Sequence, residues 1–312
     1  MEQTLSPSQL ARAIGVSESS LKRWVDEGAL QASRTVGGHR RIAIQEAVRF
    51  IRAIGANLVQ PDALGLSTLR ELPSDWSHRE DMSATLYEVL EAGHHARSTA
   101  MIHGLYLQGW SPAAIFDGPV RAAMTKLGTL WLHAEWGIAV EHRATNIAIQ
   151  AISQLRMLLP PTTSTSPMAI GCAVNNDPYL LPSLMASTVV ADQGFCDVNL
   201  GPMTPLSVLK NAERAYQPKL VWIAASVADD RDALVADLCK YGRELRERGC
   251  ELIVGGRAVD DVPAAAVPEI TLCKSMAQLA DVAKGILRKL PPTSVNADDV
   301  CGGTPGCDGE NH

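Results

Sequence analysis

The sequence predicts a multidomain chain: an N-terminal winged helix-turn-helix, a central four-helix bundle and a C-terminal doubly wound parallel α/β domain. Three observations lead there. Basic residues gather at the start, around two short amphipathic stretches parted by a glycine turn; the middle carries helical periodicity broken by turn residues; and from residue 168 apolar strand-like runs alternate with helical ones. A length of 312 residues exceeds one domain, and 46% apolar positions are enough to bury a core in each part. The boundaries fall at 1–75, 76–160 and 161–291, with a disordered tail at 292–312.

Charge is divided along the same lines. Residues 1–55 hold eight basic and five acidic side chains, a net +3, so the formal −6 of the whole leaves −9 on the remainder. A small basic module on a larger acidic body is the pattern of a nucleic-acid-binding domain joined to a sensor or an enzyme.

Within the module, Ser6-Pro7-Ser8 offers an N-cap with proline just inside a helix, and Leu10, Ala11 and Ile14 give that helix one apolar face ended by Gly15. Ser17 caps a second helix, with Leu21, Trp24 and Val25 as its buried stripe and Gly28 at its end. Ser19, Ser20, Lys22 and Arg23 face away from that stripe, where a recognition helix presents side chains to a major groove. A hairpin follows from Leu30 to Ile42, turning at Gly37-Gly38, and its Arg34, His39, Arg40 and Arg41 would flank phosphates as a wing. A third helix is expected from about Ile44 to Leu58, after which Pro61, Gly65 and Pro73 interrupt the chain. The run from Val16 to Gly28, with Thr35-Val-Gly-Gly-His-Arg-Arg-Ile42 after it, resembles the winged helix-turn-helix of the MerR family. That resemblance implies a homo-oligomer, dimer or tetramer, binding double-stranded promoter DNA. The long coiled-coil helix of the metal-sensing members does not follow, so dimer contacts would come from elsewhere.

From about Met82 to Leu159 helices are expected over 81–108, 111–133 and 138–159, with Gly109-Trp110-Ser111-Pro112 as a stop and capped restart. Five of the eight histidines lie there, and none has the spacing that fixes a metal geometry. In the last part, strands are expected at Met168 to Val174, Gly194 to Gly201, Lys219 to Ala225, Cys250 to Gly256 and briefly near Glu269 to Leu272, with helices between and after them. Ligands of such a sheet bind at the carboxyl ends of its strands, which here carry Asn175 to Tyr179, Gly201-Pro202, Ser226 and Gly255-Gly256.

These two parts together resemble the cobalamin-binding module. Asp177-x-Tyr179-x-x-Pro182 stands at the D-x-H-x-x-G motif, Ser226 at the serine of the third strand and Gly255-Gly256 at the paired glycines. Trp131, followed by Glu141-His142, is similar to the W-x9-E-H signature of CarH/LitR-type light-sensing regulators, and the domain order is theirs. The resemblance implies a cofactor site of Trp131, Glu141, His142, Asp177, Tyr179, Ser226, Gly255 and Gly256. Tyr179 replaces the cobalt-ligating histidine and Pro182 the glycine, so a tetrapyrrole other than cobalamin is expected: haem, a bilin such as biliverdin, or both. If haem, the iron-ligand candidates are His142 first and His133 second, with Tyr179 a further one. Cobalamin is the alternative, without its usual histidine.

The function expected is a DNA-binding regulator whose C-terminal half senses a tetrapyrrole and couples light, redox or gas state to oligomerisation. Two alternatives stay open: a corrinoid carrier subunit of a methyltransferase, and a ligand-independent repressor with a degenerate pocket. No nucleophile elbow, Walker loop or paired carboxylates are present, so an enzyme is not expected. Without an 18-residue apolar run or a secretory start, a cytoplasmic protein that avoids membranes is expected, and seven scattered cysteines fit reduced thiols.

Overall fold

The computed structural model describes residues 3–72, 82–132 and 135–290. The tail expected at 292–312 and His133 lie outside the described residues.

The N-terminal module contains β1 (Thr4–Leu5), α1 (Pro7–Ile14), α2 (Glu18–Asp26), β2 (Ser33–Arg34), β3 (Arg40–Ala43) and α3 (Ile44–Ile54). Ser6 and Gln9 close a capping box on α1, the Ser6 N–H donating to Gln9 Oε1 at 2.8 Å and the Gln9 N–H to Ser6 Oγ at 3.3 Å. Gly15 then takes a left-handed φ of 70° that an L side chain resists. Leu10, Leu21, Leu30, Ile42 and Ile51 are fully buried in a shared core. The wing strands pair antiparallel, and β1 adds a third strand with Leu5 opposite Ile42. This two-residue strand has no signature in the sequence, because its pairing is made with residues 37 and 39 positions away. α3 ends at Ile54 rather than near Leu58: Gly55 turns left-handed, and the N–H groups of Val59 and Gln60 bond to Ala13 O, folding the chain back onto α1.

The bundle comprises α4 (Met82–Glu91), α5 (His95–Leu107), α6 (Pro112–Ile115), α7 (Arg121–Gly128) and α8 (Glu135–Leu155). α6 and α7 are one path broken by a π turn at Phe116–Val120, where Gly118 leaves helical angles and Pro119 lacks an N–H. α5 is buried without a break from Ser98 to Leu107, since α4, α8 and the turn at Ser67–Glu71 pack round it. Buried on every side from Ser98 onward, with Ser98, Thr99 and His103 among its buried residues, it is a core helix.

The α/β part consists of β4 (Met168–Ala173), α9 (Leu180–Asp192), β5 (Cys196–Asn199), α10 (Leu206–Tyr216), β6 (Leu220–Ala224), α11 (Arg231–Glu247), β7 (Glu251–Gly255), β8 (Thr271–Leu272) and α12 (Met276–Lys289). Its five strands are parallel in the order β5-β4-β6-β7-β8. All residues of β6 are buried because helices cover both faces. One apolar core runs from the N-terminal module through the bundle to the α9 and α12 face of the sheet, and a second lies under α10 and α11. Gly171 is obligatory within the sheet: a Cβ there would lie 2.2 Å from the ring of Trp222. That ring fills the space beneath α9, its Nε1–H donating to Ser183 Oγ at 3.2 Å, and Ser183 donating in turn to Asn199 Oδ1 at 2.9 Å.

All three parts meet at Arg52 of α3. Its guanidinium lies 3.8 Å from the centre of the Tyr106 ring and donates to the carbonyls of Tyr106 and Trp110, the latter at 3.0 Å. Tyr106 donates its hydroxyl to Asp192 Oδ1 at 3.4 Å, at the end of α9. Burial raises the Asp192 carboxyl above its ordinary range, although Arg52 and the Tyr106 hydroxyl oppose the shift.

Candidate functional site

Two surfaces carry the residues singled out from the sequence. The first lies between α2 and the wing. Ser17 caps α2 by accepting the Ser20 N–H at 3.1 Å, and its hydroxyl also contacts those of Ser19 at 2.8 Å and Ser20 at 2.9 Å. Both predicted serines thus sit in one hydroxyl cluster at the helix start. Lys22 lies 3.2 Å from Glu18, and Arg23 lies 3.8 Å from Glu27. In the wing, Arg34 is directly opposite Arg40 and Ser33 opposite Arg41. The turn is closed by Gly38 N–H to Thr35 O at 2.8 Å and Thr35 N–H to His39 O at 2.9 Å, with Gly38 at φ 78°. Val36 stands fully exposed at its tip. Lys22, His39, Arg40 and Arg41 line one cleft of about 610 Å³, together with Glu18 and Asp26.

The second surface is the carboxyl edge of the parallel sheet, at the switch point where β4 has β5 on one side and β6 on the other. Asp177 is fully buried and ties three loops together. Its Oδ1 accepts the Tyr179 N–H at 3.0 Å, its Oδ2 accepts the Ser226 N–H at 2.5 Å, and its backbone carbonyl accepts the Met203 N–H at 2.9 Å. A second link joins Asn176, itself at φ 64°, to Asp229. So braced, the loops present Tyr179, Met203 and Val227 as exposed apolar side chains, 38%, 56% and 38% accessible. Three exposed apolar side chains thus stand on loops that meet at the carboxyl edge of the doubly wound sheet, where the ligands of such sheets bind. Tyr179 is the N-cap of α9, and Pro182 occupies the first turn, where its missing N–H costs nothing. Gly255 and Gly256 permit close packing: a Cβ on the first would lie 2.7 Å from Cys273 O, and on the second, which has φ 118°, 2.4 Å from Ala225 O.

Glu141 and His142 lie on α8. The His142 Nδ1–H donates to Glu141 Oε2 at 2.7 Å, and the other Glu141 oxygen accepts from Thr145 Oγ1 at 2.7 Å. At the other end of α8, Arg156 holds Asp197 at 2.8 Å and Ser187 at 2.9 Å, while Leu158 and Asp192 share a cleft. α8 packs on α9, and these contacts anchor its C-terminal end at the α9 and β5 side of the sheet. Trp131 lies in the turn Thr129–Leu132, which packs on the start of α8 at Gly137, where a Cβ would lie 2.2 Å from Leu130 O.

The sequence named Asp177, Tyr179, Ser226 and the glycine pair, and the fold brings these to one edge. It did not name Met203, Val227 or Asp229. The available signal was position alone, since each follows the end of a strand by a few residues. Among the described residues no group of three or more His, Cys, Asp and Glu could hold a metal ion, and no helix is long and apolar enough to cross a membrane.

Comparison with known proteins adds to this picture. The MerR HTH family regulatory protein matches residues 5–48, and the B12 binding domain matches residues 83–156. No curated protein sequence matches the chain. Among solved structures, the monomethylamine corrinoid protein of Methanosarcina barkeri is 16% identical over 66% of this chain and 98% of that one, with a TM-score of 0.51, which shows a shared fold. The methanol:cobalamin methyltransferase complex of Methanosarcina barkeri (14% identity, 88% and 93% covered, TM-score 0.36) and a cobalamin-binding protein of Desulfitobacterium hafniense (16%, 68% and 99%, 0.33) are more distant. The chain thus joins a MerR-type helix-turn-helix at its N terminus to a B12-binding domain behind it, the organisation of a MerR regulator with a cobalamin-binding-like body.

Proposed function

We propose that the protein is a DNA-binding transcriptional regulator whose body binds a tetrapyrrole on the exposed apolar side chains at the carboxyl edge of the sheet. The observation that carries this reading is the Asp177 clasp: its fully buried carboxylate ties its own loop to that of Ser226, its backbone carbonyl holds the Met203 loop, and the three loops expose Tyr179, Met203 and Val227. A ligand that covered them would remove apolar surface from water at about 25 cal/mol per Å².

The residues present do not fit histidine-ligated cobalamin. The loop offers a phenol where an imidazole nitrogen would be needed, and no step is assigned to cobalt. A flat macrocycle can cover these apolar side chains without any such ligand, and haem, biliverdin and cobalamin remain distinguishable by their visible spectra. In this reading Tyr179, Met203 and Val227 would supply the apolar contacts to the macrocycle, and Glu141 would fix the orientation of the His142 ring through its Nδ1–H. Ligand state then shifts the packing of bundle on sheet, and with it the assembly that sets how many DNA-binding modules engage an operator together. Arg52 supplies a rigid connection, since it belongs to the N-terminal module and is held by the bundle.

The test is the absorption spectrum of the purified protein, alone and after adding haemin, biliverdin or adenosylcobalamin. A shifted Soret or visible band with one of them, weakened in Met203→Asp and Val227→Asp, is expected. No shift with any of the three refutes the sensor half. The DNA half is checked by retention of promoter fragments, and its loss in full-length protein would refute that part. A corrinoid carrier subunit is disfavoured by Tyr179 at the ligand position and by a helix-turn-helix that a carrier does not need.

A further inference from the structure

We propose that Asp26 is an internal counter-ion that competes with DNA phosphate for Arg40, so that the module binds DNA less tightly than its cations alone would allow. This inference rests on the DNA-binding reading and deepens it. Arg40 Nη2 donates to Asp26 Oδ1 at 2.6 Å, a charge-assisted bond between the wing strand β3 and the last turn of α2. The Arg40 side chain is 23% accessible against 62% for Asp26, so the guanidinium is drawn down against the helix while the carboxylate faces the cleft. Arg34 lies directly opposite Arg40 on the neighbouring strand, where two like charges repel. Asp26 offsets that repulsion in the unbound protein, and a phosphate placed there would do the same.

The rest of the cleft is compensated in the same manner. Lys22 stands one turn before Asp26 on α2 and is paired with Glu18 at 3.2 Å. Both acids line the cleft with His39, Arg40 and Arg41. Of the four Lys and Arg side chains that flank it or its hairpin (Lys22, Arg34, Arg40 and Arg41), two are ion-paired with acids. A phosphate approaching Arg40 has to displace a carboxylate rather than a mobile counterion. The displaced carboxylate stays tethered beside the phosphate and keeps the local net charge near zero, so the duplex sheds little of its condensed cation there and Arg40 adds little to the salt dependence of binding while Asp26 is present.

The experiment uses the full chain and a labelled mixed-sequence duplex of about 30 base pairs, titrated between about 50 and 200 mM salt. Asp26→Asn is expected to bind about 2- to 5-fold more tightly, the range that corresponds to releasing one exposed ion pair. Its slope of log K against log salt should steepen by about 0.9 for each module engaged. Glu71→Gln changes charge equally but lies in the turn Ser67–Glu71, outside the cleft, and should shift affinity by less than about 1.5-fold. In Asp26→Asn/Arg40→Ala the gain should disappear. Unchanged or weaker binding by Asp26→Asn, checked as folded by circular dichroism, overturns the proposal and makes the ion pair a brace for the wing. So does a gain that survives removal of Arg40, or one matched by Glu71→Gln. If wild-type protein shows no salt-dependent binding to any duplex, the DNA-binding reading itself falls.

Discussion

Asp177 gives the sharpest stability test, because its side chain joins two of the loops at the carboxyl edge of the sheet. Its carboxylate is fully buried and accepts two backbone N–H groups, from Tyr179 at 3.0 Å and Ser226 at 2.5 Å. Hydrogen bonds to an ionised acceptor contribute about 1.5–3 kcal/mol each, or about 3–6 kcal/mol for the two. Relief of the cost of burying a charge offsets part of that when alanine replaces the carboxylate. A net loss of about 2–4 kcal/mol is expected for Asp177→Ala, and for a domain of this size that lowers the melting temperature by about 10 °C. Asp177→Asn should fall between: its oxygen satisfies one N–H, while its amide nitrogen meets the other donor to donor. Scanning calorimetry of the three proteins at pH 7 reads the difference, and near-ultraviolet circular dichroism reports whether the loops stay ordered. If both variants melt within about 1 °C of the parent, the loops are held by something else and the proposed ligand edge loses its brace.

Other outcomes follow from the same contacts. Gly256→Ala should destabilise by more than about 2 kcal/mol in urea unfolding, because the new Cβ meets Ala225 O at 2.4 Å and φ is 118°. Arg41→Ala should weaken binding to any duplex and flatten the salt slope by about 0.9 per module, and an unchanged slope would show that the wing does not contact phosphate. His103 is buried with its Nε2–H on Ala151 O at 3.1 Å and its Nδ1 without a partner, and burial lowers its pKa below the ordinary value. The unfolded chain therefore takes up the proton first on acidification, so this contribution to stability is intact above about pH 6.5 and declines as pH falls toward the lowered native value. His103→Gln retains a donor for Ala151 without titrating. Its melting temperature should fall less than that of the parent between about pH 7.5 and 5.5.

Much of the architecture was legible because it rests on local rules. Ser6, Gly15 and Ser17 cap and stop helices where capping chemistry puts such residues, and the apolar run of β6 is what a strand covered on both faces requires. The α/β alternation was equally plain. Less so were the kink at Gly118-Pro119 and the early end of α3. The first follows from a proline lodged in a packed path, the second from hydrogen bonds that residues 59 and 60 make to Ala13. Of the candidate site residues, Asp177 and Tyr179 were found by their motif, but not the division of labour between them: Asp177 is buried as the brace and Tyr179 is presented to solvent.

Composition and periodicity alone were enough to establish the helix-turn-helix, the parallel sheet and the split between a +3 module and a −9 body, since each depends on residues close together in the chain. Tertiary structure decided what those residues do to one another. Arg40 meets Asp26 across 14 positions, Ser226 meets Asp177 across 49, and Arg52 reaches the Trp110 carbonyl across 58. Such partners are chosen by strand order and helix packing, and these are set by the burial of the whole apolar surface, so no local pattern announces them.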